Sequence, residues 1–134
     1  MVAATSGQVQ HFKDARHFAS WFGLTPKEHS SGATRHRGRI SKRGDRYLRM
    51  LLTHGARSVL RAAGVAALAG KPLDSLRHWA LQVQRRTNHN KAACALANKL
   101  ARICYATLRD AQPYGQPTTR LSKKIGRSAY SLAN

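Results

Sequence analysis

Apolar residues recur at steps of three and four in four separate stretches of the chain, the spacing of one helix face. The first stretch begins near Asp14, a residue suited to an N-cap, and stops at Gly23, shortly before Pro26. Its apolar positions are Phe18, Trp21 and Phe22. The pattern therefore predicts a short, aromatic-rich helix near the start of the chain.

A longer helix is predicted from about Gly44 to Ala63, with Gly64 at its end. Its apolar side comprises Tyr47, Leu48, Leu51, Leu52, Val59 and Leu60. Its small residues are Gly55, Ala56, Ala62 and Ala63. Because the distance between packed helices depends on the side chains at the contact, we expect this helix to approach a neighbouring helix closely.

Two further helices complete the pattern. The third is predicted over roughly Leu73 to Arg86, with Leu73, Leu76, Ala80 and Val83 on one side. The fourth begins after "TNHN", where Asn88 or Asn90 can cap it. Its apolar positions give the clearest amphipathic pattern in the chain: Ala93, Leu96, Ala97, Leu100, Ile103, Cys104 and Leu108.

No segment alternates as a strand does, so the predicted fold class is all-α, a compact bundle of about four helices over residues 13–111. Residues from Thr25 to Arg43 show no period and are rich in Pro, Gly, Ser and Thr, which predicts a long basic loop. Residues 112–134 contain too few apolar residues for a core, and we expect a disordered basic tail there.

The chain carries 24 lysines and arginines against five acids, a formal net charge of +19. Such a chain binds polyanions, and nucleic acid is the first candidate because neutralised phosphates release condensed counterions. No stretch approaches the roughly 18 apolar residues of a membrane-spanning helix. The start, "MVAATSGQVQ", lacks the charged and apolar regions of a signal peptide. We therefore expect a cytoplasmic protein with no membrane partner.

Metal and disulfide chemistry are not indicated. Cys94 and Cys104 fall in one predicted helix, roughly 15 Å apart at 1.5 Å per residue, so they cannot pair and are predicted to be small core residues. The acids stand singly, at Asp14, Glu28, Asp45, Asp74 and Asp110. Because a two-metal site needs converging carboxylates, we predict no metal or cofactor in this chain.

The stretch "SSGATRHRGRISKRGDRYLR" carries the candidate chemistry. Ser30 and Ser31 precede Gly32, and a serine in such a loop either contacts phosphate or acts as a nucleophile on a phosphodiester, with nearby cations stabilising the charge that develops. His29 and His36 could serve as a general base or as further phosphate contacts. For the serines and for the histidines, the sequence leaves open both the catalytic role and the phosphate-binding role.

Basic residues continue from this loop into the second helix at steps of three and four. We predict that they bind nucleic-acid backbone, which positions a protein without specifying sequence. The predicted contacts are Arg35, His36, Arg37, Arg39, Lys42, Arg43, Arg46 and Arg49. The alternatives are a merely solubilising face and a small RNA-binding protein of ribosomal type.

Two long segments carry a family resemblance. The order of "GLTP", "SSG", "GRISKRGDRYLRMLL" and later "NKAACALANKLARICYATL" resembles the C-terminal domain of the DEDD-type insertion-sequence transposases related to the Piv DNA invertase. The similarity runs from Phe12 to Arg61 and from Leu76 to Arg109. Ala33 differs from the family pattern, which commonly has a second glycine at this position. We therefore expect the loop to have less conformational freedom.

The resemblance implies a recombinase whose nucleophilic serine maps to Ser31, with Ser30 as the alternative. It also implies multimeric assembly and guidance by a structured RNA. In the family, magnesium is held by an N-terminal RuvC-like domain, of which residues 1–12 would retain only the end of the connecting segment. We therefore expect a truncated or split transposase that binds DNA and needs an RuvC-like half. A non-catalytic nucleic-acid-binding remnant that regulates full-length transposase is the alternative.

Overall fold

The computed structural model of the chain describes residues 8–111 and 113–115. In chain order these form a 3-10 turn (Val9–His11), α1 (Ala15–Trp21), β1 (Pro26–Ser31), β2 (Thr34–Ile40), α2 (Arg46–Leu68), α3 (Ser75–Arg86) and α4 (His89–Asp110). All four predicted helices are confirmed. The predicted disordered tail falls almost entirely outside the described residues.

The all-α prediction is wrong in one element. Most of the predicted loop from Thr25 to Arg43 is an antiparallel hairpin of β1 and β2. Every strand residue except the half-buried Ile40 is exposed, so neither face packs on a core. A strand without a buried face needs no alternation of apolar and polar residues, which is why the pattern did not indicate it.

Side-chain caps begin every helix of the bundle. Each capping side chain accepts the backbone N–H of the residue three positions on: Asp14 from His17 at 2.7 Å, and Asp45 from Leu48, Asp74 from Arg77 and Asn88 from Lys91 at 2.8 Å. These bonds satisfy donors that the first helical turn leaves unpaired. Of the two asparagines predicted as caps of α4, Asn88 is therefore the one that serves.

Two predicted helix ends differ from the structure. α2 continues past Gly64 to Leu68. One glycine costs a helix only about 1 kcal/mol relative to alanine, and Ala66 and Ala67 beyond it are strong helix formers. α3 begins at Ser75 rather than Leu73, because Asp74 caps it there.

The core lies between α1, α2 and α4, with α3 covering one side. Its fully buried side chains include Phe18, Phe22, Leu60 and Leu96. Alanines of α2 (Ala56 and Ala63) and of α4 (Ala93, Ala97 and Ala101) are also buried, which lets these two helices pack closely, as predicted. Tyr47 and Leu51, predicted on the apolar side of α2, are instead exposed.

Aromatic residues join the start of the chain to this core. Phe12 packs edge-on against Phe18, with ring centroids 5.0 Å apart. The Tyr105 hydroxyl donates a hydrogen bond to the Phe12 carbonyl at 3.0 Å. Val9 is buried in the same cluster. The residues just before α1 are thus bound to the helical bundle.

Candidate nucleic-acid interface

The hairpin is fixed at its stem by close backbone contacts. The Ser41 N–H donates to the Thr25 carbonyl at 2.8 Å, and the Lys42 N–H donates to the Gly23 carbonyl at 3.1 Å. Gly44 has φ +90°, and a Cβ there would overlap the Trp21 carbonyl oxygen. Only glycine fits this approach, which ties the end of the hairpin to the end of α1.

The serines lie at the opposite end, beside a two-residue turn. Ser31 pairs with Thr34, leaving Gly32 and Ala33 as the turn. Gly32 has φ +59°, whereas Ala33 is not among the residues with positive φ. A type II′ turn needs glycine only at its first central position. Ala33 is therefore compatible with the turn.

The two candidate serines are on opposite faces of the hairpin. Glu28 pairs with Arg37 and Ser30 with Arg35. Because side chains alternate along a strand, these residues share one face. There the Ser30 hydroxyl donates to Glu28 Oε1 at 3.1 Å, and Arg35 Nε lies 3.5 Å from the same oxygen. Ser30 is thus hydrogen-bonded to a carboxylate.

Ser31 occupies the other face. The strand register pairs His29 with His36, which is the next pair on the face that carries Ser31 and Thr34. Neighbours along and diagonally across a two-stranded sheet lie roughly 7–8 Å apart at Cα, within reach of an imidazole ring. The fold therefore brings the two histidines to the face that carries Ser31, and no carboxylate is paired there.

The predicted basic contacts do not form a single stripe. Arg37, Arg39, Lys42, Arg46 and Arg49 line one cleft, whereas Arg35, His36 and Arg43 lie outside it. The backbone of Lys42 has φ +55°, in the left-handed region that residues other than glycine rarely adopt. Arg49 also has a structural task, because its Nη1 donates to the Phe22 carbonyl at 3.0 Å and to the Arg43 carbonyl at 3.4 Å.

The cleft is open, has a volume of about 1670 Å³, and lies between β2, α2 and α4. Four cations that sequence reasoning missed complete its lining: Arg57, Lys91, Lys99 and Arg102. The last three lie on α4 at steps of eight and three, which places them on one side of that helix. The spacing of these cations on the polar side of α4 is the sequence signal that could have predicted this part of the cleft.

No carboxylate lines this cleft among the described residues. Three aspartates cap helices, and Asp110 pairs with Arg109 at 2.8 Å. The hydrogen bond from the His17 N–H lowers the pKa of Asp14, so that carboxylate remains charged at neutral pH. Glu28 is engaged on the hairpin. The cleft is therefore positive with no internal compensation.

Within the part of the chain that the structure describes, no group of three His, Cys, Asp or Glu residues could hold a metal ion. The described residues therefore offer no set of side chains that would hold magnesium. No helix in that part is long and apolar enough to cross a membrane. Cys94 and Cys104 are unpaired and half-buried rather than fully buried, and Cys94 lines the cleft.

Comparison with known proteins gives a consistent family. Residues 1–69 match the transposase IS116/IS110/IS902 family. A "Probable family 20 transposase" of Pseudomonas aeruginosa is 45% identical over 107 residues, which are 80% of this chain and 30% of that protein. The IS1111A transposase of Coxiella burnetii is 37% identical over 113 residues, 84% of this chain and 29% of that protein.

The IS1328 transposase of Yersinia enterocolitica is 35% identical over 105 residues, covering 78% of this chain. The chain spans about 30% of the length of these three relatives. No solved structure matches it at a significant level. On the family match and these identities, the chain belongs to the IS116/IS110/IS902 transposase family.

Proposed function

We propose that this chain binds DNA and supplies Ser31 as the nucleophile for DNA strand transfer. The observation that carries the proposal is the position of Ser31, exposed beside a tight turn on a face of the hairpin that it shares with His29 and His36. Membership of a transposase family supports the DNA substrate. Phosphodiester attack needs such exposure, because the hydroxyl must approach phosphorus in line with the leaving oxygen.

In the proposed step, the Ser31 hydroxyl loses its proton and its Oγ forms a bond to phosphorus. One bond between phosphorus and a sugar oxygen breaks, and that oxygen leaves as a hydroxyl after gaining a proton. The phosphate stays on the serine as a diester, so a later attack by a DNA hydroxyl can restore the serine. Extra negative charge on the phosphoryl oxygens needs cations to stabilise it. Arg35 and Arg37 lie on the other face of the hairpin, so we propose that the rest of the assembly supplies these cations.

Ser31 is a better candidate than Ser30 on electrostatic grounds. The Ser30 hydroxyl already donates to Glu28, and a phosphate approaching that face would meet a carboxylate. Ser31 instead shares its face with His29 and His36. Either imidazole could accept the serine proton or contact the phosphate.

The proposal includes a further component. The described residues include no group that would hold magnesium, and the chain spans about 30% of the length of the Pseudomonas aeruginosa relative. Activity would therefore require an RuvC-like half, in the same assembly or as a separate chain, and a structured guide RNA. We further propose a multimeric complex, as the resemblance implies.

Strand transfer in a reconstituted mixture tests this function. The chain is combined with an RuvC-like half of a relative, its guide RNA, magnesium and donor and target DNA. Ser31→Ala should abolish transfer, whereas Ser30→Ala, which alters the neighbouring hydroxyl on the other face, should retain it. Loss of transfer in Ser30→Ala with retention in Ser31→Ala would overturn the assignment.

Nucleic-acid binding without catalysis is a second candidate function. It is favoured by the basic cleft, whose lining among the described residues does not include either serine. A chain of this kind could compete with full-length transposase for DNA or RNA. If the mixture stays inactive while the chain alone inhibits a full-length relative, this second function is correct.

A further inference from the structure

We infer that α4 forms the second wall of a nucleic-acid-binding cleft and that Lys91, Lys99 and Arg102 contact the sugar-phosphate backbone of the bound strand. This inference rests on the nucleic-acid binding proposed above and extends it to a helix that the basic motif does not include. Its ligand is defined by chemistry: a phosphodiester backbone, supplied by either DNA or RNA.

Positive charge lies on both sides of the cleft. The hairpin and α2 contribute positive side chains to one side of the cleft, and α4 contributes three to the other. All acids of the chain are caps or ion-pair partners elsewhere, so nothing inside the cleft balances this charge. A concave surface of one sign concentrates the electric field and attracts counterions of high charge density.

The α4 side chains are available to contact a ligand. Lys91 and Arg102 are exposed, in contrast to Arg49, which bonds backbone carbonyls across the base of the hairpin. The Lys99 ammonium sits 4.0 Å from the centre of the Trp79 ring. This contact positions the ammonium at the cleft wall, and no carboxylate of the described residues forms an ion pair with it.

The two walls of the cleft are held at a fixed separation. α2 and α4 pack directly on each other. The Asn98 side-chain amide donates to the Leu24 carbonyl at 3.3 Å, joining α4 to the segment that leads into the hairpin. A preformed cleft loses little conformational entropy when its ligand binds.

The shape of the cleft favours a strand over a compact anion. The three α4 cations extend over eleven residue steps from Lys91 to Arg102, roughly 16.5 Å at 1.5 Å per residue. Part of the cleft lining is apolar and includes Met50, Ala95 and Trp79. A strand backbone can contact cations along this length while its sugars or bases rest on the apolar surface.

Binding measurements on the full chain test the inference. The probes are a single-stranded DNA of about 16 nucleotides, the corresponding duplex and an RNA hairpin with the same number of phosphates. The test variant is Lys91→Ala/Arg102→Ala. The matched control is Lys71→Ala/Arg86→Ala, which removes one lysine and one arginine from exposed positions outside the cleft.

We expect the test variant to bind at least one probe roughly ten- to a hundredfold more weakly at low salt, with a slope of log K against log salt shallower by about 0.7–0.9 per lost contact. The control should keep the wild-type slope. If the test variant behaves like the control while wild type binds, the α4 wall is not used. If wild type binds no probe, the proposed function itself fails.

Thiol protection gives a second, independent readout. Cys94 lines the cleft and Cys104 does not. Bound nucleic acid should slow alkylation of Cys94 in a Cys104→Ala chain and leave Cys104 in a Cys94→Ala chain unaffected. Equal rates for Cys94 with and without a bound probe would overturn the inference. So would equal protection by polyglutamate of matched charge, because a carboxylate chain would then satisfy the cleft as well as phosphate.

Discussion

At the scale of single residues, Gly44 and Gly32 perform different tasks in the hairpin. Gly44 lets the chain pass against the Trp21 carbonyl, and Gly32 supplies the positive φ of the turn in open space. The first residue is needed for both its space and its conformation, and the second for its conformation alone. The cost of adding a methyl group should therefore differ between them.

Gly44→Ala should lower the free energy of unfolding by about 2 kcal/mol or more, because backbone must move to relieve the overlap. Gly32→Ala should cost only about 1 kcal/mol, the strain of a positive φ. Gly55→Ala is the matched control, since Gly55 lies in α2 with open space around it. It should stabilise by roughly 0.5–1 kcal/mol. Urea unfolding measures all three, and equal stabilities for Gly44→Ala and wild type would contradict the stem geometry.

Asp14 gives the fold an acid-sensitive cap. The hydrogen bond from the His17 N–H lowers its pKa in the folded chain. A lowered folded-state pKa adds stability above the ordinary pKa of the group, and that stability is lost as the pH falls through the folded value. Asp14→Asn keeps an acceptor but cannot ionise, so its stability should fall less than that of wild type between about pH 5 and pH 2. Parallel pH profiles in urea unfolding would contradict this.

Cys104 should react more slowly than an unhindered thiol. Burial raises the pKa of the Cys104 thiol, which reduces the reactive thiolate near neutral pH. Alkylation rates in single-cysteine chains measure this as a function of pH. A Cys104 rate at neutral pH that equals the rate of an unhindered model thiol would contradict the burial.

At the scale of elements, the hairpin is the part that the sequence pattern did not predict. The four helices could be predicted because each buries one stripe of side chains, as Leu48, Leu52 and Leu60 do on α2. The hairpin buries nothing, and its backbone hydrogen bonds have no signature in hydropathy. The α4 wall was missed for a related reason, since Lys91 and Arg102 are separated by eleven positions and stand out only on the folded helix.

The hairpin cations should contribute to binding in proportion to their number. Arg35→Ala/Arg37→Ala/Arg39→Ala should weaken DNA binding and make its salt dependence shallower by about 0.9 per lost phosphate contact. Lys13→Ala/Arg16→Ala/Arg86→Ala removes the same charge from exposed positions outside the cleft and should keep the wild-type slope. An unchanged slope in the hairpin variant would mean that the hairpin does not touch the backbone.

At the scale of the whole molecule, the described residues form one bundle with two features on it, a serine turn and a basic cleft. The buried residues of the described part run from Val9 to Tyr105, and we expect the bundle to fold without the residues beyond Tyr114. A chain ending at Tyr114 should therefore unfold cooperatively, with a midpoint within a few degrees of the full chain in a thermal melt. Loss of a cooperative transition would contradict this.

The order of the short motifs let the sequence predict the transposase family, which the comparisons confirm. The same resemblance maps the family's serine to Ser31, with Ser30 as the alternative. The strand pairing adds that Ser30 shares a face with Glu28 and Ser31 with two histidines, which supports the proposal of Ser31. The sequence could not supply these faces, because a one-residue change of register would exchange them.

The central claim is that Ser31 forms a covalent bond to DNA, and trapping that bond tests it most directly. The chain is incubated with an RuvC-like half, guide RNA, magnesium and labelled DNA, denatured, and digested for peptide mapping by mass spectrometry. The account predicts a DNA phosphate attached to Ser31, absent without the added half and absent in Ser31→Ala. An adduct on another residue, or cleavage that proceeds with no protein-bound DNA, would contradict it.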